Sequence, residues 1–498
     1  MSDDIGKKTR SSMYWNLSFK IPYEVFRFGI SIIVARVLDP RDFGIVSIAT
    51  MIIFYSNTLT NLGFKSALVQ RKEITDDHIS SVFTADLTIS AFMACLFYFL
   101  APAIASFFHS PESITVIRVM SLTFVLTTFY DLPYTLFRRE LNFKVISIVD
   151  TAKELLMSLI TVFLAIYGYK YWSIVWGQLV ALTLAATYLM VKAQRKPRLS
   201  FNYSALKDLI NYGVWSFIRT QLAFFSGRMD RLLVGRYLGM SILGIYDKAK
   251  SFSQMPTDSI SSNINTVMYS SFSRIQDKQD DLRNMLKKSL LLTSVINLPL
   301  FVGLYAIAPH FVPVVLGEKW SGLIIPLQIL CVSGIFVSFG GLFSIAAVGI
   351  GNYQKYTIRL IIITILSLLL WLVLVKWGIV AVAYGAVVYS VLSLAIAVGI
   401  VREKIQISWK DIMPCIAPAL ISSLLMLLCV EGVYLLFITK YSLMNLVAVI
   451  AIGAAIYLIA LAKIPSSMLD SIRTSVIHDV SAAWGKFKYA CKSSLSLH

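Results

Sequence analysis

Long apolar stretches run through this 498-residue chain, and they constrain its fold more than any other feature. A helix needs about 20 mostly apolar residues to cross a bilayer, where its backbone must satisfy its own hydrogen bonds. Only 14% of the residues are charged, against about 25% in soluble proteins. The sequence therefore predicts an all-α integral membrane protein with about 14 transmembrane helices. We place these helices at residues 11–37, 43–69, 79–105, 114–137, 145–168, 171–191, 209–237, 242–271, 287–308, 322–349, 356–376, 379–401, 411–438 and 441–463.

Basic residues in the connecting segments predict the orientation. If the N-terminus is inside, 28 Lys and Arg lie in cytoplasmic segments and 7 lie in outer loops. Because positive charge concentrates on the cytoplasmic side, both termini are predicted to be cytoplasmic. In the tail, residues 464–498, apolar residues recur every three or four positions. This pattern favours an amphipathic helix on the inner membrane surface, and a solvated tail is the alternative.

An internal repeat becomes visible when the chain is shifted by 200 residues. The pattern R-x-L-x5-G-I occurs at Arg36 and Gly44 and again at Arg236 and Gly244. Both copies start on the same side of the membrane, which is typical of secondary transporters whose two lobes rock about a central cavity. We interpret the two glycines as residues of tight inter-helix turns. The predicted divisions are an N-terminal six-helix lobe at 1–205, a parallel C-terminal six-helix lobe at 206–405, two extra helices in 406–463 and the cytoplasmic tail at 464–498.

The first and seventh predicted spans carry charges where lipid would surround them. A charge at the bilayer centre costs about 2.5–3.5 kcal/mol on insertion scales, and it usually faces a cavity or a partner. In the first span, Lys20, Glu24 and Arg27 share one helical face. The repeat puts the two spans in equivalent positions, so we expect their basic faces to meet across a cavity that holds an anion, most naturally a phosphate. The candidate substrate-binding residues are Lys20, Arg27, Arg219 and Arg228.

Other charged residues are candidates for gating or for coupling to an ion. Arg36 and Arg236 end the first and seventh spans on the outer side, where they could join the two lobes when that side closes. Asp86 and Asp131 are candidate proton-coupled carboxylates, and Asp230 is a further candidate for gating or coupling. For all these charges the alternative is a structural role, as an internal salt bridge, as a counter-ion or as a side chain that reaches the membrane surface.

Sequence motifs for catalysis are missing. The chain has no G-x-x-x-x-G-K-[ST] phosphate loop, no HExxH and no D-x-D, and its five cysteines and five histidines are scattered. The net charge of +18 reflects the cytoplasmic segments, so it does not indicate nucleic acid as a partner. We therefore predict a protein that is not an enzyme and that has no cofactor, no metal site and no nucleic-acid partner.

Several blocks of sequence together resemble those of one known family. They occur in family order and are specific only in combination. The basic substrate-site candidates lie outside the best-matching blocks, except for Arg228, which flanks one of them. The blocks are ARVLDPRDFGIVSIA at 35–49, NLGFKSALVQRKEITDDH at 61–78, DRLLVGRYLG at 230–239, GIY at 244–246, SRIQD at 273–277, LGEKW at 316–320 and PLQIL at 326–330. With these blocks the chain resembles the polysaccharide-transporter (PST, Wzx-type) flippases, in the WzxC-like branch of the MOP exporter superfamily.

The resemblance implies a MOP/MATE-like fold with two six-helix lobes and two additional helices. It also implies a bacterial inner-membrane flippase that moves an undecaprenyl-pyrophosphate-linked oligosaccharide, for O-antigen or an exopolysaccharide such as colanic acid, by alternating access. The implied partners are this lipid-linked oligosaccharide, membrane lipids and the polysaccharide polymerase and export machinery.

Three other functions compete with this one. An ion-coupled exporter of small cationic compounds on the same fold would favour an acidic cavity, whereas the deep charges here lean basic. A membrane scaffold for polysaccharide assembly would leave the intramembrane charges unexplained. A lipid II type substrate is the third alternative.

Overall fold

The computed structural model describes residues 26–60, 65, 68–69, 71, 73–202, 214–261, 268, 272, 279–350, 353–437 and 442–464, and these residues form helices and short connections without a strand. The helices are α1 (26–37), α2 (Pro40–Thr60), α3 (Asp76–Phe107), α4 (Ser113–Met120), α5 (Leu122–Arg139), α6 (Phe143–Ile166), α7 (Tyr171–Lys192), α8 (Val214–Leu238), α9 (Met240–Pro256), α10 (Gln279–Phe311), α11 (Ile324–Gly349), α12 (Tyr353–Leu374), α13 (Ile379–Ile405), α14 (Trp409–Phe437) and α15 (Leu443–Lys463). Short π and 3₁₀ turns are Thr257–Ser261, Val312–Leu316, Glu318–Leu323 and Val375–Trp377.

The predicted all-α membrane class is confirmed. Each of the predicted spans overlaps a helix, and within the described residues nine helices are long and apolar enough to cross a membrane. The chain is a multi-pass membrane protein. A total of 14 crossings remains a prediction, and the tail at 464–498 lies outside the described residues apart from Ile464.

Backbone packing divides the chain into two compact units. The first comprises the described residues of Met1–Phe252, Phe311–Pro326 and Ile361–Ala386, and the second those of Ser253–His310, Leu327–Leu360 and Val387–His498. In the second unit, Ser294 on α10 donates to the carbonyl oxygen of Cys415 on α14 over 2.8 Å. The lobe boundaries derived from the repeat remain a prediction. The candidate site residues that the structure describes lie in the first unit.

In the first unit, α8 and α9 form a tight hairpin because a single glycine separates them. Gly239 has φ +85°, a left-handed conformation that side chains with a Cβ rarely adopt. The two helices therefore run back along each other, and polar residues on facing turns come together. At the equivalent place in the first repeat, α1 and α2 are joined through Leu38 and Asp39, and the backbone N–H of Asp39 donates to Asp42 Oδ2 over 3.1 Å.

The repeated glycines mark a close crossing of α2 and α9, which corrects their interpretation as turn residues. A methyl group on Gly44 would lie 1.9 Å from the carbonyl oxygen of Met240, and one on Gly244 would lie 1.8 Å from the carbonyl oxygen of Pro40. Each glycine thus accommodates the backbone of the other repeat. We call this reciprocal contact the glycine crossing.

Candidate functional site

A network of buried ion pairs joins the two helices of the hairpin. Asp230 on α8 is fully buried, and it contacts Lys250 Nζ and accepts a hydrogen bond from the Tyr246 hydroxyl over 2.7 Å. Arg231 contacts Asp247 over 2.5 Å. These pairs neutralise charges that would be costly to bury alone.

Lys248 differs from these charges because no carboxylate in the described part of the chain forms an ion pair with it. Its side chain is 7% exposed, and its Nζ lies 2.6 Å from Ser31 Oγ and 3.3 Å from the Ser31 carbonyl oxygen. The ammonium also lies 4.8 Å from the ring centroid of Phe43 and 5.2 Å from that of Phe252. Such rings stabilise a cation but do not neutralise it. Among the described residues, Lys248 is therefore a buried lysine between α1, α2 and α9 that has no carboxylate at ion-pair distance.

Sequence reasoning missed Lys248, although the repeat offered a signal. A shift of 200 residues aligns Lys248 with Ile48, which is fully buried on α2. A charge at the counterpart of a buried isoleucine is a departure from the repeat, and this departure marks Lys248 as unusual.

The structure describes two of the four predicted substrate-binding side chains. The Arg27 side chain is exposed on α1, next to Phe28, whose ring centroid lies 5.9 Å from that of Phe252. The Arg228 guanidinium lies 4.2 Å from the ring centroid of Phe54, so it faces α2. Lys20 and the side chain of Arg219 lie outside the described residues. The structure thus brings Arg228 against α2, and Lys248 against α1 and α2.

Arg36 and Arg236 make reciprocal contacts between the two repeats. Arg36 donates to the carbonyl oxygens of Val314 and Val315, to the latter over 2.7 Å. Both carbonyls belong to the π turn Val312–Leu316, which ends α10 of the second repeat. Arg236 donates to the carbonyl oxygen of Phe107, where α3 of the first repeat ends. Each arginine therefore satisfies backbone carbonyls that the end of a helix leaves without partners.

Further contacts hold the same region together. The Trp320 indole donates to the carbonyl oxygen of Ala35 over 2.8 Å, and Lys319 lies 3.2 Å from Asp39. Trp320 is fully buried, with its ring centroid 5.3 Å from that of Phe43. These contacts hold the 3₁₀ turn Glu318–Leu323 against α1 and α2.

Asp86 and Asp131 share one lysine, Lys65, as their cationic partner. Lys65 Nζ lies 2.7 Å from Asp131 Oδ2 and 3.2 Å from Asp86 Oδ2. The exposed fractions of the side chains are 12% for Lys65, 4% for Asp86 and 33% for Asp131. We call these three residues the buried triad.

Comparison with known proteins identifies a matching family. Residues 33–325 match the family described as polysaccharide biosynthesis protein, and this interval is more than half of the chain. It contains the glycine crossing, both arginines, the buried triad and Lys248.

Two curated relatives cover much of the chain. The chain is 28% identical over 311 residues to the lipopolysaccharide biosynthesis protein WzxC of Escherichia coli K12, covering 62% of this chain and 63% of WzxC. It is 26% identical over 323 residues to the succinoglycan biosynthesis transport protein ExoT of Rhizobium meliloti 1021, covering 64% of this chain and 65% of ExoT. The matched stretches therefore span less than two thirds of either relative.

Solved structures establish the fold. The lipid II flippase MurJ in an inward closed conformation matches with a TM-score of 0.73 at 16% identity, covering 89% of this chain and 97% of MurJ. An inward-facing multidrug resistance MATE transporter of the MOP superfamily matches with a TM-score of 0.62 at 17% identity, covering 77% of this chain and 94% of that one. The predicted MOP/MATE-like fold is confirmed.

Proposed function

The chain belongs to the polysaccharide biosynthesis protein family, and on that premise we propose that it is a flippase for an undecaprenyl-pyrophosphate-linked oligosaccharide. The oligosaccharide would be a repeat unit of O-antigen or of an exopolysaccharide such as colanic acid, carried across the bacterial inner membrane. Support comes from the family match, from the names of WzxC and ExoT, and from the fold shared with a lipid flippase. In this proposal both termini are cytoplasmic, the two six-helix lobes follow the repeat, and the chain transports its substrate without transforming it.

The buried charge of Lys248 carries this proposal. A pyrophosphate would give Lys248 the ion-pair partner that it does not have among the described carboxylates, and a charge-assisted hydrogen bond to an ammonium suits its oxygens. Arg27 and Arg228 lie on α1 and α8, the helices on which the anion site was predicted. We propose that Lys20, Arg27, Arg219, Arg228 and Lys248 together bind the pyrophosphate.

The contacts of Arg36 and Arg236 support a gate at the end of the molecule that is predicted to face outward. Alternating access requires one end to close while the other opens. Each arginine joins one repeat to a helix end of the other, so both sets of hydrogen bonds would have to break for that end to open. We propose that the two arginines hold this gate closed and that the glycine crossing is its pivot.

An exporter of small cationic compounds has less support. Its binding site would need carboxylates available to the substrate, whereas Asp86, Asp230 and Asp247 each contact a lysine or an arginine. The MATE transporter also matches with a lower TM-score than MurJ, 0.62 against 0.73.

The deciding experiment is deletion of the gene in its own host, followed by mass spectrometry of the undecaprenyl-pyrophosphate sugars in each membrane leaflet. We expect one complete repeat unit to accumulate on the cytoplasmic side. The intact gene should remove it, whereas Lys248→Met and Arg27→Ala should not. Lys376→Met, at an exposed lysine of the same unit, is the matched control and should restore transport. An unchanged lipid pool together with new sensitivity to cationic drugs would favour the exporter instead.

A further inference from the structure

The buried triad carries an excess of one negative charge in a largely apolar setting. When all three groups are ionised, one ammonium faces two carboxylates. On α3, Val82 and Phe83 flank the triad in an apolar cluster that also contains Leu132 of α5. Low polarity strengthens the attraction of Lys65 for either aspartate, and it equally strengthens the repulsion between the two aspartates.

Asp86 is the less well satisfied of the two carboxylates. It is 4% exposed, and its Oδ2 lies 3.2 Å from Lys65 Nζ without a well-aligned hydrogen bond in the described part of the chain. Asp131 is 33% exposed and lies 2.7 Å from the same ammonium. The buried, more distant carboxylate is therefore the one that gains most from neutralisation.

Titratable groups on the neighbouring helices form a separate set. On α5, the Tyr130 and Tyr134 hydroxyls donate to Asp150 of α6, over 2.5 Å and 3.0 Å. Lys153 lies 3.9 Å from the same carboxylate. These groups satisfy one another, and the imbalance of charge stays with the triad.

We propose that the buried triad is a proton-exchange site, in which Asp86 binds one proton while Lys65 stays paired with Asp131. A proton taken from water forms an O–H bond at the Asp86 carboxylate, and the charge of the triad changes from −1 to zero. Release of the proton restores the shared contact with Lys65. A bound metal cation is disfavoured because the ammonium already occupies the position between the two carboxylates.

The location of the triad suits coupling to transport, a step that rests on the proposed flippase function. Asp86 lies ten residues from the start of α3, about 15 Å along the helix from the end predicted to face the cytoplasm. Its protonation changes the contacts between α3, α5 and Lys65, so two protonation states would favour two arrangements of these helices. Proton flow could then supply energy for the conformational cycle.

Proton binding can be measured without substrate. The full chain is purified into lipid, and infrared difference spectra are recorded as the pH is lowered, to detect the carbonyl stretch of a protonated carboxyl group. We expect Asp86→Asn to remove one such band. Asp150→Asn, the matched control on α6, should keep it. An Asp86→Asn spectrum identical to that of the wild type would overturn the proposal.

Two further variants should shift the titration in opposite directions, which a purely structural triad would not do. Lys65→Gln removes the cation, so the band should appear at higher pH. Asp131→Asn leaves Lys65 to Asp86 alone, so the band should appear only at lower pH. Unshifted midpoints in both variants, or loss of the band with sodium chloride but not with choline chloride at constant pH, would refute proton exchange.

The coupling step is tested separately, by the leaflet assay in cells. A folded Asp86→Asn protein that accumulates the cytoplasmic lipid-linked sugar would support coupling, whereas full transport by this variant would refute it. If the chain proved not to be a flippase, the infrared titration of Asp86 would still stand.

Discussion

The helix pairs α1–α2 and α8–α9 are related by the repeat, yet they are alike only at one end. There, Arg36 matches Arg236 and Gly44 matches Gly244, and both pairs make reciprocal contacts. Farther along, Val46, Ser47 and Ile48 of α2 correspond to Tyr246, Asp247 and Lys248 of α9. The shared end holds the repeats together, whereas at two of these three aligned positions only the second repeat carries a charge.

This difference separates two kinds of constraint. Reciprocal contacts must be kept in both repeats, because each glycine or arginine meets the backbone of the other repeat. A ligand site has no such requirement, since one repeat can supply the charge while the other supplies apolar and hydroxyl partners. Lys248 between Ser31 and two phenylalanine rings follows that division.

The largest expected loss of stability comes from Lys250→Met, in the charged hairpin. This change leaves Asp230 fully buried without its cation, and removal of one partner of a buried pair costs about 3–5 kcal/mol. Chemical denaturation in mixed micelles should record this loss. The double variant with Asp230→Asn should recover part of it, and a stability equal to that of the wild type in the single variant would contradict the pairing.

Gly244→Ala should come next, because its new methyl group would meet the carbonyl oxygen of Pro40. Overpacking of this kind costs about 1–3 kcal/mol. Gly29→Ala is the matched control, since a methyl group there meets nothing within 4 Å. Melting temperatures of the two variants should separate them. Gly44→Ala combined with Gly244→Ala should cost less than the sum, because one separation of α2 from α9 relieves both contacts.

Arg36→Gln and Arg236→Gln should each weaken the contacts between the two repeats at the end where these arginines lie. The expected loss is about 1.5–3 kcal/mol, the usual range for hydrogen bonds to charged groups. The measurement is cysteine labelling at positions close to Val314 and Phe107, which should become faster in both variants. Equal labelling in variant and wild type would argue against a gate. A change in only one variant would show that the contacts of Arg36 and Arg236 are not equivalent.

Lys248→Met should have the smallest effect on stability, within about 1 kcal/mol of the wild type, because methionine can pack against the same two rings. Its effect on transport should nevertheless be large. The apparent melting temperature and the leaflet assay, measured on the same variant, test this contrast. A strongly destabilised Lys248→Met protein would mean that the ammonium is structural.

Periodicity and charge predicted spans that each overlap a described helix, because a span in lipid needs a continuous apolar stretch of known length. They also identified Arg228, Asp86, Asp131 and Asp230 as unusual charges within these stretches. They could not show which residues these charged side chains contact. Lys65 and Asp131 are 66 positions apart, and Ser31 and Lys248 are 217 apart, so no local pattern connects them.

The sequence by itself determined the helical membrane class, the repeat and the list of charges that need an explanation, since these depend on residue type and spacing. Only the tertiary structure decided which charges neutralise each other, because pairing depends on distances between helices that are remote along the chain. Asp230 and Lys248 show the division: both are buried charges of one hairpin, but the first has a cation beside it and the second has a hydroxyl group and two aromatic rings. The glycines at 44 and 244 likewise became crossing residues only when α2 and α9 were seen in backbone contact.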